Sequence, residues 1–171
     1  MSDLKSAATQ ELIEHIVSGD SERIVEAARE AASRKDALAG PHMLRVLEQT
    51  SDPAVRNAVA LALSDLKEPA AFDVLVELLK SGRASANRGT LLYALGAYDC
   101  SPVLPLLVDL VIEGNFEESR QALSLVTGIE TELDEHTWQA CVERLRSALA
   151  TATKERRPLL DKLMSLFEQE Q

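Results

Sequence analysis

The residue types best suited to chemistry in this sequence are its three histidines, His15, His42 and His136. They fall in three different segments, and none is followed three or four positions later by a histidine or carboxylate that would complete a metal-binding pair. His15 also stands where the repeat described below is otherwise apolar, so packing explains it more simply. The seven glycines form no phosphate-binding loop, and no serine has the neighbours of a nucleophile elbow. We therefore predict a protein that is not an enzyme and uses neither a metal nor a cofactor.

Cys100 and Cys141 lie far apart and lack the spacing of metal ligands, which predicts two small buried thiols in a reducing cytoplasm. The net charge of −10, from 28 acidic and 18 basic residues, disfavours binding to a nucleic acid backbone. No apolar run approaches the roughly 18 residues of a membrane span, and the N-terminal residues lack an apolar secretory core. A cytoplasmic protein without nucleic acid or membrane partners is expected, and its oligomeric state stays open.

The helical elements of the chain are clearest in the stretch 51–63, which has the pattern of a complete helix start. Ser51 or Asp52 can cap the first backbone N–H groups, and Pro53 stands where a missing N–H costs nothing. Apolar residues follow at the spacing of one buried helix face. The same columns recur every 32 residues, as in Ala27, Val59, Leu91 and Leu123, in Ala31, Leu63, Leu95 and Thr127, and in Leu12, Leu44, Val76 and Val108.

A 32-residue repeat of two short amphipathic segments predicts stacked helical hairpins, because one helix pair cannot bury its own apolar face. We therefore predict an all-α fold, a right-handed α-solenoid of stacked antiparallel hairpins with about ten helices and no strands. It would form a single domain over residues 1–171. Four hairpins would span residues 4–129, and a divergent hairpin over 133–169 would cap the stack.

Local patterns predict how some helices begin, end and pack. Asn115 and Glu118 have the spacing of a capping box. Gly82 and Gly114 suit the left-handed residue just past a helix end. In the last helix, the leucines predicted to share the buried face are Leu159, Leu163 and Leu166.

With this pattern the chain resembles the HEAT-repeat superfamily, and most closely its short bacterial variety, similar to repeats of phycobilisome-lyase type. The resemblance covers residues 8–129 and is carried in the second repeat by Asp52, Pro53, Val55, Arg56, Ala60, Ala62 and Leu63. The third and fourth repeats lack the turn aspartate, so the Asp–Arg ladder that such proteins often build is expected to be incomplete. The chain also lacks the paired His-Glu motifs of the family's iron-dependent hydroxylase and the basic face of its DNA glycosylases. The resemblance therefore implies a scaffold or an accessory subunit.

Arg56, Arg88 and Arg120 form the most conspicuous polar column of the repeat. A row of arginines could meet an anionic ligand. It could equally be structural, since each stem covers apolar surface while the guanidinium ties adjacent repeats through Asp or carbonyl groups.

Partner contacts are expected on the second helix of each hairpin, where two columns lie beside the buried stripe. In a HEAT-like stack these columns would line the concave surface as a shallow apolar trough, with small residues between the larger ones, namely Ala54, Ala86 and Gly89. Tyrosine suits such a surface because it combines an apolar body with a polar tip. The alternative, that these side chains pack against the next repeat, remains open. The candidate residues are Asn57, Leu61, Gly89, Tyr93, Gln121 and Leu125.

The acidic residues are concentrated in the segment 109–135, which holds eight acids and one base and so carries −7 of the net charge. Such a run is either a solvated face or a surface that steers a basic partner. Glu117 and Glu118 are the candidate residues for steering.

The leading functional hypothesis is a cytoplasmic, non-enzymatic adaptor or scaffold that binds another protein on the concave face of its second helices. The acidic run makes a basic protein one candidate for this partner. One alternative is an immunity or inhibitor protein whose acidic face masks a basic toxin such as a nuclease. An alternative of another class, implied only by the family resemblance, is an accessory lyase-like subunit.

Overall fold

A computed structural model describes residues 2–82, 88–131 and 133–169 of the chain. These residues form ten α-helices and no β-strand, which confirms the predicted all-α class. The helices pair as five consecutive hairpins. Their bounds are α1 (Ser2–Ile16), α2 (Ser21–Arg34), α3 (Gly40–Gln49), α4 (Pro53–Asp65), α5 (Ala71–Lys80), α6 (Arg88–Leu95), α7 (Leu104–Glu113), α8 (Phe116–Thr127), α9 (Glu135–Thr151) and α10 (Arg157–Gln169).

The second helices α4 and α8 begin at the caps that the sequence predicts. Asp52 Oδ1 accepts hydrogen bonds from the backbone N–H groups of Ala54 and Val55, at 2.8 and 3.4 Å. Asn115 and Glu118 form the predicted capping box, with both hydrogen bonds at 3.0 Å. Each cap satisfies backbone donors that the helix itself leaves unpaired.

The contacts divide the chain into two compact units, Met1–Tyr98 and Asp99–Gln171. In the first unit, α2 packs along α4 and α4 along α6, whereas the first helices α1, α3 and α5 contact each other more sparingly. The second helices therefore form the more closely packed layer of this unit, and the concave face predicted for them remains a prediction. The single domain predicted for 1–171 remains a prediction.

Most residues of the predicted columns are buried in the first unit, and Val59, Leu63, Leu91 and Leu95 are fully buried, whereas Leu44 is half-buried. Other fully buried side chains of this core are Met43, Leu47, Leu75 and Leu79. A polar link joins consecutive second helices at their N-termini, where the Ser21 hydroxyl donates to Asp52 Oδ2 at 2.6 Å. This hydrogen bond, with those from the helix N–H groups, holds the pKa of Asp52 below its ordinary value.

In the second unit, α7 packs against both α8 and α9, and α10 packs mainly against α9. Leu104, Leu107 and Leu145 are fully buried at the centre of this arrangement. In α10 the buried residues are Leu160, Leu163 and Phe167, so the prediction that Leu159 and Leu166 are buried is wrong, since both are half-buried. The Phe167 ring packs edge-on against Trp138 with 4.5 Å between ring centroids, and this contact selects the neighbouring face of the helix.

The two glycines predicted to be left-handed differ in conformation. Gly82 follows α5 with φ of +68°, as predicted. Gly114 follows α7 with φ of −63°, so the left-handed prediction is wrong there. Gly114 is instead constrained by space, because a Cβ at this position would lie 2.4 Å from the Leu110 carbonyl oxygen.

Tyr98 ties the end of the third hairpin to the end of α4. Its hydroxyl contacts the carbonyl oxygens of Leu63 and Glu68 at 3.2 and 3.0 Å, and its ring packs edge-on against Phe72. Burial, with the nearby Glu68 charge as a smaller cause, raises the pKa of Tyr98 to about 12. Because the ordinary value is 10.0, this residue supports the fold below pH 10 and loses that contribution as pH rises towards 12.

We expect Tyr98→Phe to lower the free energy of unfolding by about 1 kcal/mol at neutral pH. The loss should be modest because the two carbonyl groups also accept backbone hydrogen bonds from Glu68 and Ala71. Urea unfolding monitored by circular dichroism measures the change. Tyr93→Phe, on a side chain that is largely exposed, is the matched control and should leave the midpoint unchanged. Equal effects of the two substitutions would contradict a specific role for the Tyr98 hydroxyl.

Candidate protein-binding surface

The most exposed residue of the predicted trough is Tyr93 on α6, whose exposed fraction is 66%. Leu61 occupies the equivalent position on α4, the helix that packs beside α6, and it is half-buried. The pair therefore presents one freely accessible aromatic ring and one partly accessible aliphatic side chain on the second-helix side of the first unit. We name Leu61 and Tyr93 the Tyr93 surface.

The two residues one helical turn earlier offer less surface. Gly89 is buried, so it cannot contact a partner directly. Asn57 is half-buried, and its side-chain oxygen is inaccessible and accepts no hydrogen bond within the described residues. Ala86, a predicted small neighbour in the trough, lies outside the described residues. The accessible part of the predicted surface is thus narrower than the sequence pattern suggests.

Gln121 and Leu125 belong to α8 in the second unit, and both are half-buried. The structure places them one helical turn apart on the same helix face. Their alignment with Leu61 and Tyr93 in one continuous row stays a prediction.

The arginine column does not form one basic stripe. Arg56 is buried, with an exposed fraction of 4%. Arg88 donates from Nη2 to the Leu79 carbonyl oxygen at 2.8 Å, near the end of α5. Arg120 is exposed, and its guanidinium carbon lies 4.3 Å from the centroid of the Phe116 ring. The observed arginine tie joins the two helices of the third hairpin and not two adjacent repeats. Of the three arginines, only Arg120 is freely accessible.

The acidic run is partly neutralised by residues that are distant in sequence. Arg144 of α9 donates from Nε to Asp109 Oδ1 at 2.9 Å and pairs through Nη2 with Glu113. Glu118 is buried, and its carboxylate closes the capping box of α8, so the prediction that it steers a partner is replaced by a structural role. Glu117 is exposed and remains a candidate, whereas Glu132 lies outside the described residues.

Comparison with known families rests on the repeats themselves. Residues 9–96 and 41–126 each match the family model of HEAT repeats, and the two matches begin 32 residues apart, the period seen in the sequence. The chain belongs to the HEAT-repeat family. HEAT repeats generally mediate protein–protein interaction, and members of the family are generally non-enzymatic scaffolds. No curated protein matches the sequence. The resemblance to phycobilisome-lyase repeats is finer than this match and stays a prediction.

Both cysteines belong to the second unit. Cys100 and Cys141 are both free and buried, as predicted. Burial raises the pKa of each thiol to about 11, so neither forms a reactive thiolate near neutral pH. Within the described part of the chain, no group of three or more His, Cys, Asp or Glu side chains could hold a metal ion, and no helix is long and apolar enough to cross a membrane.

Arg144 and Arg156, which the sequence analysis does not identify, stabilise the second unit. Arg156 donates to the carbonyl oxygens of Val111 and Gly114 at 3.3 and 2.5 Å. These carbonyls lie at the end of α7, where a helix leaves acceptors unpaired and attracts positive charge. Both contacts join residues more than 30 positions apart, and no local spacing in the sequence indicates them.

Proposed function

We propose that this HEAT-repeat protein is a non-enzymatic adaptor of the cytoplasm that binds another protein through the Tyr93 surface. The single observation that carries the proposal is the exposure of Tyr93 on α6, a second helix of the first unit. A tyrosine held on a helix brings a large apolar area at low entropic cost and a hydroxyl for a directional hydrogen bond. Leu61 on the adjacent helix would extend the contact.

The inhibitor alternative rests on an acidic face that meets a basic toxin. Arg144 neutralises part of that run, and Glu118 is used inside the protein. The exposed acid Glu117 is better suited to raising the association rate of the adaptor's partner than to forming a masking surface. The adaptor is therefore the preferred proposal.

The test begins with identification of a partner by pull-down and mass spectrometry, followed by binding kinetics. Tyr93→Ala should weaken binding by about 2 kcal/mol, mostly through faster dissociation. Tyr93→Phe, which keeps the ring, should retain most of the affinity. Circular dichroism should show the same helix content for all three proteins.

The matched control is Leu38→Ala, which removes an exposed apolar side chain elsewhere in the first unit and should not alter binding. The adaptor proposal is wrong in this form if Tyr93→Ala binds as the unchanged protein does. It is also wrong if that substitution unfolds the chain, because Tyr93 would then be part of the packed core.

A further inference from the structure

The second unit contains a cleft of about 610 Å³ between the C-terminal half of α8 and the start of α10. Its volume is within the range of sites that bind small molecules and peptide side chains. The cleft arises because α10 packs mainly on α9 and touches α8 only sparingly. Its lining residues on α8 include Arg120, Leu123, Ser124 and Thr127.

The sequence of α8 differs from the earlier second helices at two positions that line the cleft. Ser124 and Thr127 are exposed, but the equivalent positions in the three earlier repeats hold fully buried side chains. A polar replacement at two neighbouring positions keeps the face compatible with water, so α10 does not close over it. The buried equivalents are Ala28, Ala60 and Leu92 for Ser124, and Ala31, Leu63 and Leu95 for Thr127.

The cleft is basic although the chain as a whole is strongly acidic. Arg120 and Lys162 line it from α8 and α10, both are exposed, and neither forms an ion pair within the described residues. Glu155 is the single acid among the lining residues, which leaves a local charge of +1 in a chain of −10. An acidic ligand is therefore complementary in charge to this place on the protein.

Apolar surface lies beside the two cations. Leu123 is buried in the floor of the cleft, and Leu159 lies half-buried on its α10 side. Phe116 is 74% exposed, and the Arg120 guanidinium stands over its ring. This contact holds the cation in a defined position at the edge of the cleft. A carboxylate and a neighbouring apolar side chain could thus be bound together.

We propose that the α8–α10 cleft binds a short acidic segment of a partner protein. Asp or Glu carboxylates would pair with Arg120 and Lys162, and an adjacent Leu, Ile or Phe would pack against Leu159 and Phe116. A free inorganic anion would leave this apolar surface unused. The proposed site shares no residue with the Tyr93 surface, and the proposal does not depend on the function proposed for that surface.

The test uses a library of 12-residue peptides displayed on phage and selected on the full chain. Enriched peptides are synthesised with a fluorescent label, and their binding is measured by anisotropy. We expect peptides that combine Asp or Glu with Leu, Ile or Phe. The double variant Arg120→Gln/Lys162→Gln should weaken their binding about tenfold or more, and added salt should weaken it as well.

The matched control is Arg23→Gln/Arg45→Gln, which removes two positive charges from exposed residues of the first unit and should leave binding unchanged. The charge-retaining variant Arg120→Lys/Lys162→Arg should bind within a few-fold of the unchanged protein. If loss of Arg120 disturbs the fold seen by circular dichroism, Lys162→Gln alone provides the same comparison on an exposed residue of α10.

Several outcomes would overturn the proposal. The proposal is wrong if selection enriches no peptide, or only peptides that bind the glutamine double variant as well as the unchanged protein. Complete displacement of the peptide by low-millimolar inorganic phosphate would indicate a site for free anions. Self-association that light scattering detects, and that the double variant abolishes, would indicate a second copy of the chain as the occupant. Tyr93→Ala, which should not affect these peptides, separates this result from the fate of the proposed adaptor function.

Discussion

Leu63→Ala should lower the free energy of unfolding by about 2–5 kcal/mol. Leu63 is fully buried on α4, the central second helix of the first unit, which packs against both α2 and α6. The truncated side chain would lose its burial and leave a cavity that the surrounding helices close only in part. Because stacked repeats stabilise their neighbours, a defect in the central helix also weakens the packing of the two flanking hairpins.

Denaturant unfolding measures this effect, with Leu38→Ala as the matched control. Leu38 is 71% exposed in the turn before α3, so the same chemical change there should move the stability by less than about 0.5 kcal/mol. Leu95→Ala, in the next repeat of the same column, should behave like Leu63→Ala, since Leu95 is also fully buried. An unfolding midpoint that Leu63→Ala leaves in place would show that this column is not the core.

Gly114→Ala should destabilise the protein by about 2–3 kcal/mol, although its backbone conformation is open to any residue. The added Cβ would lie 2.4 Å from the Leu110 carbonyl oxygen and 3.0 Å from the Glu118 Cβ. The backbone oxygen belongs to the last turn of α7 and cannot move without disturbing the helix. The Gly114 carbonyl, which accepts from Arg156, would shift as well.

Gly128→Ala is the control for this prediction. A Cβ at Gly128, which follows α8, would meet only the carbonyl oxygens of Leu125 and Ser124, at ordinary contact distances of 3.6 and 3.7 Å. This substitution should therefore be neutral or slightly stabilising, because alanine restricts the unfolded chain more than glycine does. Thermal unfolding of the two variants in parallel measures the change in stability that each substitution causes. A neutral result for Gly114→Ala would mean that α7 and α8 separate there at little cost.

The repeat architecture could be predicted from the sequence because its determinants are local. The 32-residue columns, the Asp52 cap and the capping box of Asn115 with Glu118 depend on residues three or four positions apart, and helix geometry fixes those distances. In α10 the pattern correctly predicts that Leu163 is buried, but it places Leu159 and Leu166 in the core where the structure buries Leu160 and Phe167. The alternatives are adjacent in the sequence, and the contact of Phe167 with Trp138 favours the observed face.

The candidate sites depended on tertiary structure to a greater degree. The sequence indicated that Tyr93 stands beside the buried stripe, but its exposure depends on how α6 packs in the first unit. The acidic run looked uniform in the sequence, until the fold brought Arg144 beside Asp109 and Glu113. Charge interactions act through space. Arg144 is more than 30 positions from both acids, so no local spacing in the sequence indicates these ion pairs.

The sequence by itself determined the helices, their order and most of the buried columns of the first unit, since each is set by periodic burial within one or two turns of helix. Tertiary structure alone decided which charges remain accessible and where the packing stays open. The cleft beside Arg120 exists because α10 packs on α9 and leaves α8 partly uncovered. The packing of α10 depends on side chains from three helices, and no spacing within a single helix encodes it.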